Sequence, residues 1–436
     1  MPTNHFILKT LNIKDENIKM SNYCEERKIK GVVTKCYFGK LAYIPEGCMH
    51  CGERNTNGVI KKNGTRLTKI IIPKVSECPA QLMLKKQRFL CRKCNQTFVA
   101  ETSAVEKYHR ISNNTRLSVI DKLVETMSIK LVAKLCDISH HSVTRIMNET
   151  ADHLAARACI QLPEHILMDE FKSVRSVHSK MSFIFCDAET HAICDIVQDR
   201  KIKSLKEYFG YYQLSERMRV KTVTMDMYEP YMQLVKEMFP NAKIIIDKFH
   251  ISQASTREIN RERIAFMNAM KCIDSRLANK LKYYWRHVLK PPYLLNAYKY
   301  MNYYLFDKWM TPRGVAEYLV SFDETLFNTH RIGHDLIKAV HDNDMDAFNE
   351  ALADSKLCQV SKGLKRIVRT FTKYNSYIDN ALAYPMYTNG AIEGINNKIK
   401  VIKRVAYGYR NYRNFRNRIL LISRLYKPEN KMQQAS

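Results

Sequence analysis

The sequence predicts a multidomain α/β protein. A β-rich zinc ribbon and a helix-turn-helix come first, followed by a mixed α/β core interrupted by a helical insertion. Three observations predict it. Two CxxC pairs, Cys48-Met-His-Cys51 and Cys91-Arg-Lys-Cys94, stand near the N-terminus. Strand-like runs alternate with helical stretches between His165 and Phe249. From Ile251 to about Tyr384 the pattern is helical with almost no strand signal.

A chain of 436 residues is too long for one ordinary core. Hydrophobic residues at 45% and charged residues at 26% exclude a disordered or fibrous chain. Lys and Arg number 71 against 43 Asp and Glu, a formal charge of +28. An excess that large concerns partners, and the usual ones are nucleic acid or an anionic membrane surface. No apolar run reaches the roughly 18 residues of a membrane span. Met1 to Met20 lacks the apolar stretch of a signal peptide. A cytoplasmic protein that binds nucleic acid is the expected class.

Residues 1–110 read as short strands. Lys30 to Phe38 is one, and Val59–Lys62 and Arg66–Ile72 flank Asn63-Gly64, whose residue types favour a hairpin turn. Of 13 cysteines, Cys48, Cys51, Cys91 and Cys94 are paired in a way that can complete a tetrahedral four-thiolate site for one structural zinc. His50 is not needed, since four sulfurs close the site. Four buried free thiols are the alternative.

Residues 111–160 turn helical. Ile129 to Cys136 is a short amphipathic helix, Asp137-Ile138 a tight turn, and Ser139 or Ser142 a cap for the next helix. Val143 and Ile146 would face a core, leaving Lys134, His140, His141, Thr144 and Arg145 for DNA. That is the pattern of a helix-turn-helix, with a plain helical hairpin as the alternative.

The core begins at residue 161. Strands are expected at His165–Phe171, Met181–Asp187, Ala192–Val197, Lys221–Asp226 and Ala242–Phe249, and helices at Ser204–Gln213 and Glu229–Phe239. Asp169 lies in an otherwise apolar strand, where alternation turns Glu170 to the opposite side. Asp226 ends a strand before a helix, and functional groups gather at such strand ends. Glu393 opens a basic helix. Hard cations such as magnesium or manganese want oxygen ligands, and two of them can carry phosphoryl transfer on DNA. Taken singly, each acid is more often a solvated or capping residue.

Their combination resembles the ISL-three (ISL3) family of bacterial insertion-sequence transposases, over nearly the whole chain. The most specific pieces are the paired CxxC ribbon, Met168-Asp-Glu-Phe171, Thr224-Met-Asp-Met-Tyr-Glu-Pro-Tyr231, Asp247-Lys-Phe-His250, Thr388-Asn-Gly-Ala-Ile-Glu-Gly-Ile-Asn-Asn-Lys-Ile-Lys400 and the tail from Ala406 to Arg418. The resemblance implies an RNase H-like core with an acidic triad at Asp169, Asp226 and Glu393. It also implies two magnesium or manganese ions, and binding of the element's double-stranded ends and of target DNA by a homo-oligomer, a dimer on DNA. Asp247 and His250 match a motif of related transposases and rank second, beside the metals or as buried hydrogen-bonding groups.

The 166 residues between Asp226 and Glu393 exceed what such a core holds, so residues 251–384 read as the insertion. Its aromatics Tyr283, Tyr284, Trp285, Tyr298, Tyr300, Tyr303 and Tyr304 read first as helical core, with base stacking as the alternative. Residues 385–436 would return to the core and continue as a basic tail. Asn396 and Asn397 lie one turn past Glu393. Lys398, Lys400, Lys403, Arg404, Arg410, Arg413, Arg416, Arg418, Arg424 and Lys427 would offer a positive surface to DNA phosphates, with no acid among them. The expected location is cytoplasmic and nucleoid-associated, away from any membrane. The rival readings are another RNase H-like nuclease and a non-enzymatic DNA-binding regulator.

Overall fold

The structure, a computed structural model, describes residues 4–29, 31–158 and 161–425. It divides into two compact units, residues 1–157 with 399–436, and residues 158–398.

The first unit opens with helix α1 (Asn4–Thr10) and strands β1 (Ile18–Ile29), β2 (Val32–Leu41), β3 (Ile60–Val75), β4 (Cys78–Cys91) and β5 (Thr97–Val99). The sheet order is β1-β2-β4-β3, with β5 on β4. Ile18, Leu41, Ile70, Leu82 and Leu84 are fully buried on its inner face. The expected hairpin at Asn63-Gly64 is not there. β3 runs straight through both residues, and the register slips between Lys62 and Thr65. Gly64 has φ +70°, which serves a bulge as well as a turn, and its carbonyl accepts the Gln87 side-chain amide at 2.8 Å. The chain reverses instead at Ser76 and Glu77, both at positive φ, between the paired residues Val75 and Cys78.

Helices α2 (Asn113–Val124), α3 (Ile129–Leu135) and α4 (His140–Ala158) follow. Ser112, Ser128 and Ser139 each accept a backbone N–H three residues on, which fixes the three helix starts. Val119, Leu123, Val132, Val143 and Ile146 form their shared core.

The second unit contains β6 (His165–Lys172), β7 (Met181–Asp187), β8 (Ile193–Val197), α5 (Ile202–Gly210), α6 (Leu214–Met218), β9 (Thr222–Met225), α7 (Glu229–Met238) and β10 (Lys243–Ile246). All five expected strands are present, within a few residues of the expected ends. The sheet order is β10-β9-β6-β7-β8; β6, β9 and β10 are parallel, and β7 runs antiparallel to both its neighbours. β9 and β10 are buried on both faces, as parallel strands covered by helices should be.

The helical stretch is α8 (Lys248–Met270), α9 (Ser275–Tyr283), α10 (Trp285–Leu289), α11 (Pro312–Val320), α12 (Glu324–Asp342), α13 (Met345–Leu357), α14 (Lys362–Lys373) and α15 (Asn375–Ala383). Tyr284 and Tyr303 join its core. Tyr283, Trp285, Tyr298, Tyr300 and Tyr304 do not, Tyr298 and Tyr304 being 91% and 88% exposed. The core expectation fails for Tyr298, Tyr300 and Tyr304 because Pro291, Pro292 and Pro312 bracket a largely irregular segment with no helical face to bury, while Tyr283 and Trp285 stand on the exposed sides of α9 and α10.

Helix α16 (Gly390–Val405) ends where Tyr407 and Gly408 take positive φ, and α17 (Tyr412–Leu425) follows. The expected positive tail is therefore not one solvated face. From Ile399 on, the chain belongs to the first unit. Leu421 enters the α2–α4 core. Arg418 is 1% exposed and donates to the carbonyls of Glu125 and Met127 at 2.8 Å each, and Arg413 pairs with Asp152 at 2.6 Å. The side chain of Arg424 and all of Lys427 lie outside the described residues. Among the described residues, no helix is long and apolar enough to cross a membrane.

Candidate active site and the four-cysteine cluster

The sulfurs of Cys48, Cys51, Cys91 and Cys94 come together, with Cys48–Cys94 at 3.6 Å and Cys51–Cys91 at 3.8 Å. Each knuckle is a tight turn whose residue after the second cysteine, Gly52 or Asn95, sits at positive φ. The His50 backbone N–H donates to Cys48 Sγ at 3.4 Å, but its ring packs edge-on against Phe98, outside the sulfur group. The cluster is compatible with a zinc site.

In the second unit, the parallel pairing of three strands stops at one place. β6 pairs with β9 only from His165 to Leu167, so the two strands part just before Asp169 and Asp226. A cavity of about 410 Å³ opens there, lined by Asp169, Asp226, Tyr228, Tyr231, His250, Arg257 and residues of α14. Asp247 follows β10 and caps α8, accepting the Phe249 N–H. The expected strand to Phe249 therefore stops at Ile246, and His250 lies in the first helical turn. Its Nε2 is 2.7 Å from Asp226 Oδ1 and 4.0 Å from Asp247 Oδ2. Asp226, Asp247 and His250 bring ligand atoms within 4.8 Å of one another, the spacing of a metal site.

Glu170, expected on the opposite face from Asp169, lines the same cavity. There Arg200 holds the Glu170 carboxylate at 2.6 Å. Sequence reasoning missed Arg200, Arg257 and the cavity role of Tyr231. Arg200 sits in a turn with no motif, and only its charge could have flagged it.

Helix α16 docks on the free edge of β6. Asn389 Nδ2 donates to the Met168 carbonyl at 3.2 Å, and Asn396 Nδ2 to Asp169 Oδ2 at 2.7 Å. Glu393 lies between them in sequence at helical spacing, on the same face, and is exposed. It is not among the residues lining the cavity. Asn397 and Lys400 are exposed and Lys398 half-buried. In the first unit, His141, Arg145, Arg404 and Arg410 are exposed and Thr144 half-buried; Lys403 lies over the Phe415 ring.

Carboxylates crowd the site, and Glu170 already holds Arg200. Burial, then the nearby Asp226 charge, pushes Asp169 up to about 6, against the pull of the Glu170 N–H. Burial raises Asp247 too. The hydrogen bond to Asp226 raises His250, favouring its protonated form. Three buried polar atoms beside these acids have no partner: Asn389 Oδ1, Asn396 Oδ1 and the Tyr231 hydroxyl.

The family model DDE_Tnp_ISL3, described as a transposase, matches residues 166–419, more than half of the chain. The chain belongs to the ISL3 family of insertion-sequence transposases. The matched span of this transposase-family chain contains Asp169, Asp226, Asp247, His250 and Glu393. The chain is also 23% identical over 378 residues to a transposase for insertion sequence element IS1001 from Bordetella parapertussis, covering 84% of this chain and 86% of that one. A protein of Lactococcus lactis subsp. lactis described as an ATP-dependent protease is 35% identical over 112 residues. That is 26% of this chain and 35% of that protein, too little of either to bring its activity here.

Proposed function

We propose that this ISL3-family chain binds the ends of its own insertion sequence and cuts and joins DNA strands, with Asp169, Asp226 and Glu393 as an Asp-Asp-Glu triad. The observation that carries the reading is the convergence of Asp169, Asp226, Asp247 and His250 at the ends of three parallel strands, against the helix that bears Glu393. The strand order β8-β7-β6-β9-β10, with β7 reversed, supports the RNase H-like core that the family resemblance implies.

The donor set fits hard divalent cations: the half-buried Asp169 and Asp226 carboxylates repel each other, with the unpartnered amide oxygens of Asn389 and Asn396 beside them. Asp169, Asp226 and Glu393 would hold two magnesium or manganese ions, which supply activation of the attacking oxygen and neutralisation of charge on the leaving one. His250 holds its Nε2 proton toward Asp226 and fixes that carboxylate's orientation. Asn396 does the same for Asp169. Arg200 draws Glu170 aside, leaving Asp169 as the acid of β6 that serves the site.

Recognition falls to the first unit and the flank of α16. One structural zinc at Cys48, Cys51, Cys91 and Cys94 would hold the ribbon. α3 and α4 act as the helix-turn-helix, offering His141, Thr144 and Arg145 to base edges. Asn396, Asn397, Lys398, Lys400, Lys403, Arg404, Arg410 and Arg413 contact the double-stranded DNA of ends and target, in a dimer assembled on DNA.

Manganese titration of the purified chain followed by calorimetry tests the metal assignment. The intact chain should bind, and Asp169→Asn, Asp226→Asn and Glu393→Gln should each weaken binding at least tenfold. Unchanged binding by Asp226→Asn would move the site elsewhere.

A further inference from the structure

Helix α14 faces two cavities. Its Ile367, Thr370 and Phe371 line the one that holds Asp169 and Asp226. On its other flank Lys365, Val368, Arg369 and Thr372 line a second cavity of about 420 Å³, together with Ser355 and Lys356 of α13. The sequence explains the helix. Ser361 caps it, and Leu364, Val368 and Phe371 recur at helical spacing and are buried. Lys362, Lys365, Arg366, Arg369 and Lys373 fall on the opposite side, all exposed.

The residue sequence of α14, Lys-Gly-Leu-Lys-Arg-Ile-Val-Arg-Thr-Phe-Thr-Lys, contains no acid. Lys373 is taken by Glu229 at 2.8 Å. Among the described residues, none of Lys356, Lys362, Lys365, Arg366 and Arg369 is in an ion pair, although nearby Arg331 has both Asp335 and Asp354. The spacings Lys362–Arg366, Lys365–Arg369, Lys362–Lys365 and Arg366–Arg369 set like charges side by side, and each such pair costs a helix roughly 0.2–0.5 kcal/mol. A solvated face gains by interspersing acids, and this one does not. An α-helix is about 10 Å across, so these cations stand within about one helix diameter of the acidic cavity.

We propose that the cationic side of α14, with Lys356, is a track for the DNA backbone that holds phosphates of the duplex flanking the bond to be cut. It rests on the reading that DNA is cut at the Asp169–Asp226 cavity. Phosphates on the track relieve the helix's own repulsion, and Arg366 and Arg369 can engage them bidentately. Asp169, Glu170 and Asp226 in the cavity repel a polyanion, so a positive surface just beyond it adds to the attraction of Arg200 and Arg257.

The test is binding of a labelled random-sequence DNA duplex by the full chain over a range of salt. The triple variant Lys356→Ala, Lys365→Ala, Arg369→Ala should bind at least tenfold more weakly at low salt. Its slope of log affinity against log salt should shrink by about 0.9 for each phosphate that the variant no longer neutralises. Arg369→Lys with Lys365→Arg should stay near wild type, and the triple variant should melt no lower than wild type, since it removes like-charge repulsion. A control triple, Lys271→Ala, Arg276→Ala, Lys282→Ala, removes equal charge from exposed positions on α9 and the α8–α9 connection. Equal losses in both triples, or none in the first, would overturn the track. Asp226→Asn keeps α14 intact, so its loss of nicking with retained duplex binding separates a failure of the active site from a failure of the track.

Discussion

At the scale of single residues, the site is organised by neighbours rather than by the acids alone. Asp169 and Glu170 are adjacent and line one cavity, yet Arg200 holds only Glu170. Glu170→Gln should therefore lose an exposed ion pair of about 0–1 kcal/mol and keep most activity. Gly363 gives a sharper prediction. A Cβ there would run into the end of the Glu258 side chain, which is 5% exposed and must swing aside. Gly363→Ala should cost about 1–3 kcal/mol of stability by overpacking, read as a lower urea midpoint. Combining it with Glu258→Ala, which empties the clashing space, should restore part of that loss. An additive double variant would show that the clash is not the cause.

Among the elements, those with a strong local pattern were legible in the sequence. The five strands of the second sheet were readable because their apolar runs end at acids and turns. α3 and α4 were readable because serine caps mark their starts. Asn63-Gly64 misled, since the backbone a hairpin needs is also the backbone of a bulge, and the partner strand β4 decides between them. The docking of α17 was hidden because Arg418 looks like any surface cation until two carbonyls from the α2–α3 connection bury it. Arg418→Leu should strip both carbonyls of the guanidinium, leaving Glu125 only the Met127 N–H, at about 1–3 kcal/mol in the first unit. Two further elements carry tests. His330 and His334 on α12 are 5% and 3% exposed, with rings 4.5 Å apart, and burial pushes them down to about 3 and about 4. The unfolded chain takes up protons below about pH 6.5 while the folded chain stays neutral there. Their contribution is therefore complete above that pH and lost as pH falls toward 4 and then 3, by up to roughly 1.4 kcal/mol per histidine per pH unit. Urea midpoints at pH 7 and pH 5 should differ accordingly, and His330→Leu should flatten the difference. In the ribbon, metal analysis of the intact chain should give about one zinc, with Cys48→Ser and Cys91→Ser losing it. A zinc-free chain with a folded first unit would remove the metal from the account.

For the whole molecule, one arrangement joins sequence to chemistry. Parallel strands bring Asp169, Asp226 and Asp247 together, α8 adds His250, and Asn389 and Asn396 hold α16 against Met168 and Asp169, with Glu393 exposed between them in sequence. The acids at strand ends were visible in the sequence. Glu393 was visible only through its motif, because 166 residues separate it from Asp226. The direct contact of His250 with Asp226 was not visible, since it depends on where β10 stops and α8 begins. The most direct test of the central claim is magnesium-dependent nicking of labelled element-end DNA by Asp169→Asn, Asp226→Asn, Glu393→Gln and Glu170→Gln chains at equal folding. A 1 Å misplacement in such a site can cost about a hundredfold, so the first three should fall by at least that factor while Glu170→Gln stays within a few-fold of wild type. Full nicking by the Asp226→Asn or Glu393→Gln chain would contradict the account.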